Sequence, residues 1–176
     1  MLGEKTKKNL EEAFAGESMA RNKYDYFSSI ARKAGYVQIA NIFAETALNE
    51  KEHAKLWAKQ LGLISENLGE DLKAAVAGEH HETTEMYPRM AQEALEEGHA
   101  DIAKLFKEVA EVEEAHEKRY QKLLENLEKG EVFKKDKVVR WKCNNCGHIH
   151  EGSEAPLVCP ACQHPQAHFE VLAENY

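Results

Sequence analysis

The segment Glu50-Lys51-Glu52-His53 returns sixty-three residues later as Glu113-Glu114-Ala115-His116. Apolar residues recur at helical spacing around both copies, so each places a Glu and a His three apart on one face of a long helix. The repeat reaches well beyond the motif. Gly35 maps onto Gly98, Ile39 onto Ile102, Ala40 onto Ala103, Phe43 onto Phe106, Ala47 onto Ala110 and Tyr24 onto Tyr87 at the same offset. A turn glycine, a core spacing and a polar pair kept in duplicate constrain the chain to two similar helical hairpins. The expected architecture is an all-α four-helix bundle built around one pseudo-symmetric site.

The periodicity predicts helices over about 6–34, 37–61, 69–97 and 100–129, each followed by a glycine suited to a helix C-terminus. Ser65 or Asn67 is placed to cap the third helix, and Pro88 to bend it. Depth along each hairpin then selects further carboxylates. Glu50 lies fifteen residues past Gly35, and on the first helix Glu17, eighteen before it, reaches a similar depth on a face with Arg21 and Tyr24. Glu113 is fifteen past Gly98, with Glu82 sixteen and Glu79 nineteen before it. The resulting set is Glu17, Glu50, His53, Glu79, Glu82, Glu113 and His116. Glu from two helices plus Glu-x-x-His from the other two is the donor set of carboxylate-bridged di-iron bundles, here with one carboxylate to spare. His80 and His81 fit that face poorly and are expected at the rim or in solvent, and His99 in a turn. Tyr24 and Tyr87 are either core aromatics or hydrogen-bonding groups behind the ligands. Arg21 is either a surface charge or a partner for a ligand carboxylate.

Composition changes near residue 134. All four cysteines and three of the four prolines follow it, which predicts a helical domain over 1–134 and a small module over 135–176. Cys143-Asn144-Asn145-Cys146 and Cys159-Pro160-Ala161-Cys162 are two thiolate knuckles. Together they form a tetrahedral sulfur cage that fits zinc or a single iron. Trp141 and Phe169 flank the cage and are expected to form a core too small to persist without metal. His148, His150, His164 and His168 are spare donors beside a site that four thiolates already close.

Charge narrows the partners. Four Lys/Arg against five Asp/Glu after residue 134 leave −7 of the net −8 on the helical part, which argues against a nucleic-acid phosphate backbone as partner. No apolar run is long enough to span a bilayer and the N-terminal residues lack a signal-peptide core, so no membrane partner and a cytoplasmic location are expected.

The whole chain resembles the rubrerythrins, in which a ferritin-like di-iron bundle is fused to a rubredoxin-like iron module. The resemblance is carried by Glu17-Ser18-Met19-Ala20-Arg21, Glu50-x-x-His53, Gly78-Glu79-His80-His81-Glu82 leading to Glu85-Met86-Tyr87-Pro88, Glu113-x-x-His116 and the two knuckles with Cys159-Pro160. It implies two irons in the bundle, bridged by Glu50 and Glu113, with Glu17 terminal on the first and Glu79 and His116 on the second. It further implies that the first iron exchanges Glu82 for His53 on reduction. The four cysteines would hold a third iron and relay electrons, with zinc or manganese as possible substitutes in the sites. The implied activity is reduction of hydrogen peroxide to water in oxidative-stress protection, fed by an electron-donor protein such as rubredoxin or an NAD(P)H-dependent reductase. Glu82, Tyr87 and its counterpart Tyr24 are the candidate catalytic residues, Glu82 or Tyr87 delivering protons. A ferroxidase or oxygen-reactive iron-handling protein, and a metal-binding protein with a zinc ribbon, are the alternatives.

Assembly poses a separate question. In a ferritin-like bundle the link between the second and third helices must run the bundle's length, roughly 30 Å, whereas residues 62–69 fully extended reach about 27 Å. Two solutions are open: a homodimer that exchanges hairpins, or unwinding of the helix ends.

Overall fold

Gly35, at φ +87°, turns the chain between α1 (Glu4–Lys33) and α2 (Val37–Leu61). The computed structural model describes residues 2–175; Met1 and Tyr176, the outer ends of the expected domains, lie outside them. The α1–α2 hairpin belongs to the first of two compact units, Met1–Glu66, and the remainder forms the second, Asn67–Tyr176.

In the first hairpin the buried residues of α2 are all alanines, Ala40, Ala47, Ala54 and Ala58, spaced by whole helical turns. Small side chains let the two helices approach closely. Ser28 is the buried residue of α1, and its hydroxyl donates to the Ala40 carbonyl at 2.8 Å. Phe27 packs edge-on against Phe43 at 5.5 Å, and Tyr24 tilts over Phe43 at 6.0 Å. Large aliphatics of the same hairpin, Ile30, Ile39, Ile42, Leu48 and Leu56, remain exposed.

The second unit opens with α3 (Leu68–His81), capped by Asn67, whose side-chain oxygen accepts from the Gly69 and Glu70 amides. The helix expected over 69–97 is not uniform. After His81 comes a π-turn, Glu82–Met86, in which the Tyr87 amide reaches back five residues to the Glu82 carbonyl. Then α4 (Tyr87–Glu96) resumes α geometry. Pro88, expected to bend the helix, lies directly after the widened turn. It has no N–H for the Thr84 carbonyl and its ring would crowd that group in a regular helix. The Thr84 hydroxyl donates to the His80 carbonyl at 2.7 Å. Gly98 turns the chain into α5 (Ala100–Glu128), with His99 at its N-cap as the turn residue expected. Ala91 and Ala103 are buried and stand at the repeat offset from Ser28 and Ala40, so the close approach of the first hairpin recurs at that level of the second.

Beyond α5, strand β1 (Lys134–Cys143) lies between β2 (Ile149–Glu154) and β3 (Phe169–Val171), antiparallel to both. Trp141 faces His150 on one neighbour and Val171 on the other, while Cys143 faces Phe169. The core of this sheet is Trp141, Cys143, Ala155, Cys159 and Phe169, with the Trp141 indole N–H donating to the Gly152 carbonyl at 3.0 Å. Among the described residues no helix is long and apolar enough to cross a membrane.

Candidate metal centres

Each hairpin gathers one cluster of two carboxylates and an imidazole: Glu17, Glu50 and His53 in the first, Glu79, Glu113 and His116 in the second. Within each, one Glu comes from the first helix of the hairpin, and the Glu-x-x-His pair from the second. The two clusters have nearly the same geometry. His53 Nδ1 lies 2.8 Å from Glu50 and 3.7 Å from Glu17; His116 Nδ1 lies 2.7 Å from Glu113 and 3.7 Å from Glu79. One ring nitrogen thus faces two carboxylates from two helices, the geometry of a divalent-cation site.

The charges say the same. The Glu17 carboxyl titrates above its usual range, because it shares a hydrogen bond with Glu50, is desolvated and feels that neighbour's charge, against a smaller opposing pull from His53. Desolvation, then the charge of and a hydrogen bond to Glu113, and finally the charge of Glu82, raise Glu79, opposed by His116. In each hairpin two carboxylates crowd one another, which makes it costly to ionise both without a positive partner. A bound divalent cation satisfies both.

Glu82, the seventh expected ligand, stands outside both three-residue clusters. It opens the π-turn, and its charge reaches both Glu79 and Tyr87. The repeat explains why it has no counterpart: the first hairpin has Met19 or Ala20 there, according to whether the offset is taken as that of the tyrosines or that of the cluster carboxylates. Tyr87 stacks against Phe106 with ring centres 6.0 Å apart and planes at 35°, repeating the 6.0 Å and 32° of Tyr24 and Phe43. Desolvation and the charges of Glu82, Glu113 and Glu79 push the Tyr87 phenol up, so it stays protonated beside the carboxylates. Arg21 lines an apolar groove with Phe14, Ala54, Ala58, Leu63 and Ile64, and among the described residues no ion pair joins it to a ligand carboxylate. His80 lies on the rim, its Nδ1 3.0 Å from Glu117, and His81 pairs with Glu85 at 3.5 Å.

The π-turn itself was not foreseen, although the sequence carries its signal. The offset of sixty-three takes Glu17 to His80, but the carboxylate in the second cluster is Glu79. Tyr24 follows Glu17 by seven residues, whereas Tyr87 follows Glu79 by eight. Seven α steps return to within about 20° of the starting face, and eight miss it by about 80°. A π-turn absorbs the surplus residue.

In the C-terminal module the two knuckles are near copies. The Cys143 amide donates to the His148 carbonyl and the Gly147 amide to Cys143; the Cys159 amide donates to His164 and the Gln163 amide to Cys159. Gly147 at φ +79° and Gln163 at φ +61° hold the left-handed position of each turn. The four sulfurs converge, with Cys143–Cys162 and Cys146–Cys159 both at 3.7 Å. A tetrahedron of metal–sulfur bonds near 2.3 Å has edges of about 3.8 Å, so the cage has the dimensions of a bound iron or zinc. The His164 amide N–H, with help from Asn145 and the neighbouring thiols, pulls the Cys162 thiol down to about 5. Cys146 also accepts from a backbone amide, that of His148, but the other thiols and desolvation push it up to about 12. Four thiols crowded this closely cannot all ionise until a cation replaces their protons. None of the four module histidines joins the cluster; His148 and His164 act through their backbones.

The fold and both donor sets agree with what comparison with known proteins returns. Residues 8–124 match the rubrerythrin family model and residues 141–170 that of the rubrerythrin rubredoxin-like domain. Rubrerythrins of Clostridium perfringens (52% identical over 193 aligned positions) and Nitratidesulfovibrio vulgaris (49% over 189), and rubrerythrin-1 of Clostridium acetobutylicum (52% over 192), each cover 100% of this chain and 98% of their own length. The Clostridium perfringens alignment sets 193 positions against 176 residues, so at least 17 of them have no counterpart here. The ferritin-like four-helix fold, the paired Glu/His clusters of a di-iron site and the four-cysteine cage of an Fe(Cys)4 site all have their place in that family. This chain belongs to the rubrerythrins, proteins in which a ferritin-like di-iron domain is fused to a rubredoxin-like domain.

Proposed function

We propose that this chain is a non-haem di-iron peroxidase that reduces hydrogen peroxide to water in oxidative-stress protection, with electrons entering through the cysteine cage. The observation that carries this reading is the presence, in one chain, of two matched Glu-Glu-His clusters and a separate four-thiolate cage. When bound, two irons in the helical centre supply the two electrons needed to cleave the O–O bond, and an iron in the cage passes electrons one at a time. One hydrogen peroxide, two electrons and two protons give two waters.

The protein's share is positioning and protons. Glu17, Glu50, Glu79, Glu113 and His116 would hold the two irons, with Glu50 and Glu113 shared between them as the family resemblance implies. Glu82 and His53 would serve as alternative donors to one of the irons, which gives the carboxylate outside the clusters a use. Tyr87, held protonated between a ring and three carboxylates, keeps a proton where the reacting oxygens are expected, and Tyr24 is its counterpart. Domains over 1–134 and 135–176, a cytoplasmic homodimer, and an electron donor such as rubredoxin or an NAD(P)H-dependent reductase complete the reading.

The test is a stopped-flow visible spectrum of iron-reconstituted, dithionite-reduced protein mixed anaerobically with hydrogen peroxide. The expected outcome is return of the red ferric cage bands at about one peroxide per two electrons, faster than with dissolved oxygen. Faster reoxidation by oxygen would favour an iron-handling or ferroxidase role. Iron-replete protein without cage bands would make the module a zinc ribbon.

A further inference from the structure

We propose that the α1–α2 hairpin binds an amphipathic monocarboxylate, a short apolar chain ending in one carboxylate, in the groove lined by Arg21, Phe14, Ala54, Ala58, Leu63 and Ile64. The site is separate from the metal centres, and the inference does not rest on the peroxidase reading. All of its residues belong to the first compact unit.

Helical spacing builds the groove. Phe14, Ser18 and Arg21 follow one another at four and three residues along α1, and Ala54 and Ala58 at four along α2, so each helix turns one face towards it. The two alanines are buried, and their small side chains leave space where larger ones would fill the seam. Past the left-handed turn at Gly62 the chain adds an apolar pair, Leu63 and Ile64, which stay 53% and 42% exposed. The cavity measures about 330 Å³. That is the size of a small-molecule site, whereas a protein partner needs roughly 800 Å² of continuous surface.

Charge names the head group. The chain has 31 Asp and Glu against 23 Lys and Arg, yet no carboxylate lines this groove, and Arg21, Lys51 and Lys55 do. Lys55 is paired with Glu52 at 3.3 Å. Arg21 is half-buried, and among the described residues neither it nor Lys51 has an ion pair or a hydrogen bond. Glu17 and Asp25 stand four residues to either side of Arg21 on α1 and neither reaches it; Glu17 is turned to His53 instead, at 3.7 Å. A half-buried guanidinium is costly to leave without an anion. Its planar fork matches the two oxygens of a carboxylate, and Lys51 adds a second positive charge at the rim. The net charge of −8 repels anions of higher charge. A single carboxylate on an apolar body satisfies both the cations and the walls.

Isothermal titration of the full-length, iron-loaded protein with octanoate tests this. The expected result is one octanoate per chain with the visible bands of the bound iron unchanged. Hexanoate, two methylenes shorter, should bind about tenfold more weakly, and acetate and octylamine should not bind measurably. Arg21→Met keeps the aliphatic stem and removes the charge, so octanoate affinity should fall about tenfold or more, with part of it restored in Arg21→Lys. Ile64→Asp, which lies outside both helices and does not put their folding at stake, should weaken octanoate as well. Octylamine binding as tightly as octanoate overturns the site, as does octanoate binding unchanged in Arg21→Met and Ile64→Asp. Octanoate that shifts the visible bands, or that no longer binds once the metal is removed, sits on iron and overturns it too. A fall in sedimenting mass on adding octanoate means that a second copy of the chain occupies the groove, which also overturns the proposal.

Discussion

Glu17 and Glu79 are the bundle carboxylates whose crowding a bound cation would relieve. Both titrate above the usual carboxylate range, Glu17 chiefly through its hydrogen bond with Glu50 and Glu79 chiefly through desolvation. The folded state therefore holds more protons than the unfolded chain just above pH 4.5, and stability falls as pH rises through that window. The apoprotein should melt at a higher temperature near pH 5 than at pH 7, and the metal-loaded protein should lose this dependence. Glu79→Gln removes the charge that must be desolvated, so its apoprotein should melt above wild-type apoprotein at pH 7 while binding iron more weakly. Calorimetry with and without metal checks both; an apoprotein that destabilises steadily from pH 7 to pH 5 would contradict the account. Tyr87 is a test of chemistry instead of stability. Tyr87→Phe keeps the packing against Phe106 and removes the proton, so full iron content with about tenfold or greater loss of peroxide turnover is expected. Unchanged turnover would remove Tyr87 from proton delivery.

At the scale of elements, the π-turn is a one-residue surplus in the second hairpin, so deletions should be tolerated unequally. Removing Thr84 leaves seven residues from Glu79 to Tyr87, the spacing that Glu17 and Tyr24 already have, and a regular helix can then hold both residues on one face. Removing Lys23 leaves six in the first hairpin and places Tyr24 about 120° from Glu17. The Thr84 deletion should keep wild-type helicity and iron content, and the Lys23 deletion should lose iron; circular dichroism and metal analysis would show it, and equal damage from both would deny the register argument. The same arithmetic shows where the sequence was readable. Helix ends, the knuckles and the gathering of six of the seven candidate bundle donors follow from repeat spacing and turn residues, because each depends on neighbours within a few residues or on a hairpin turn. The π-turn depended on comparing two helices position by position. That the large aliphatics stand outside the hairpins was hidden, because a 3.6-residue period marks an apolar face without saying which helix covers it.

For the whole molecule, the two metal systems draw their donors from different spans of the chain. The cysteine cage closes within one chain, four sulfurs drawn from Cys143 to Cys162 onto a sheet whose core is Trp141 and Phe169. The helical donors come in two sets of three, one set from each hairpin. Thermal unfolding of the metal-loaded protein should separate them. A transition that needs two chains moves with protein concentration, and one that needs a single chain does not. Raising the concentration about a hundredfold should lift the helical melting temperature, followed by circular dichroism, by several degrees. The cage should melt at an unchanged temperature, followed by Trp141 emission in a Trp57→Phe background, since that substitution leaves Trp141 as the sole indole. Chelation should act the other way round: stripping the cage unfolds a module too small to stand on its apolar core, and Trp141 emission shifts to the red while most helical signal remains. If the helical transition ignores concentration while the cage transition follows it, the proposed homodimer is not held together by its helices.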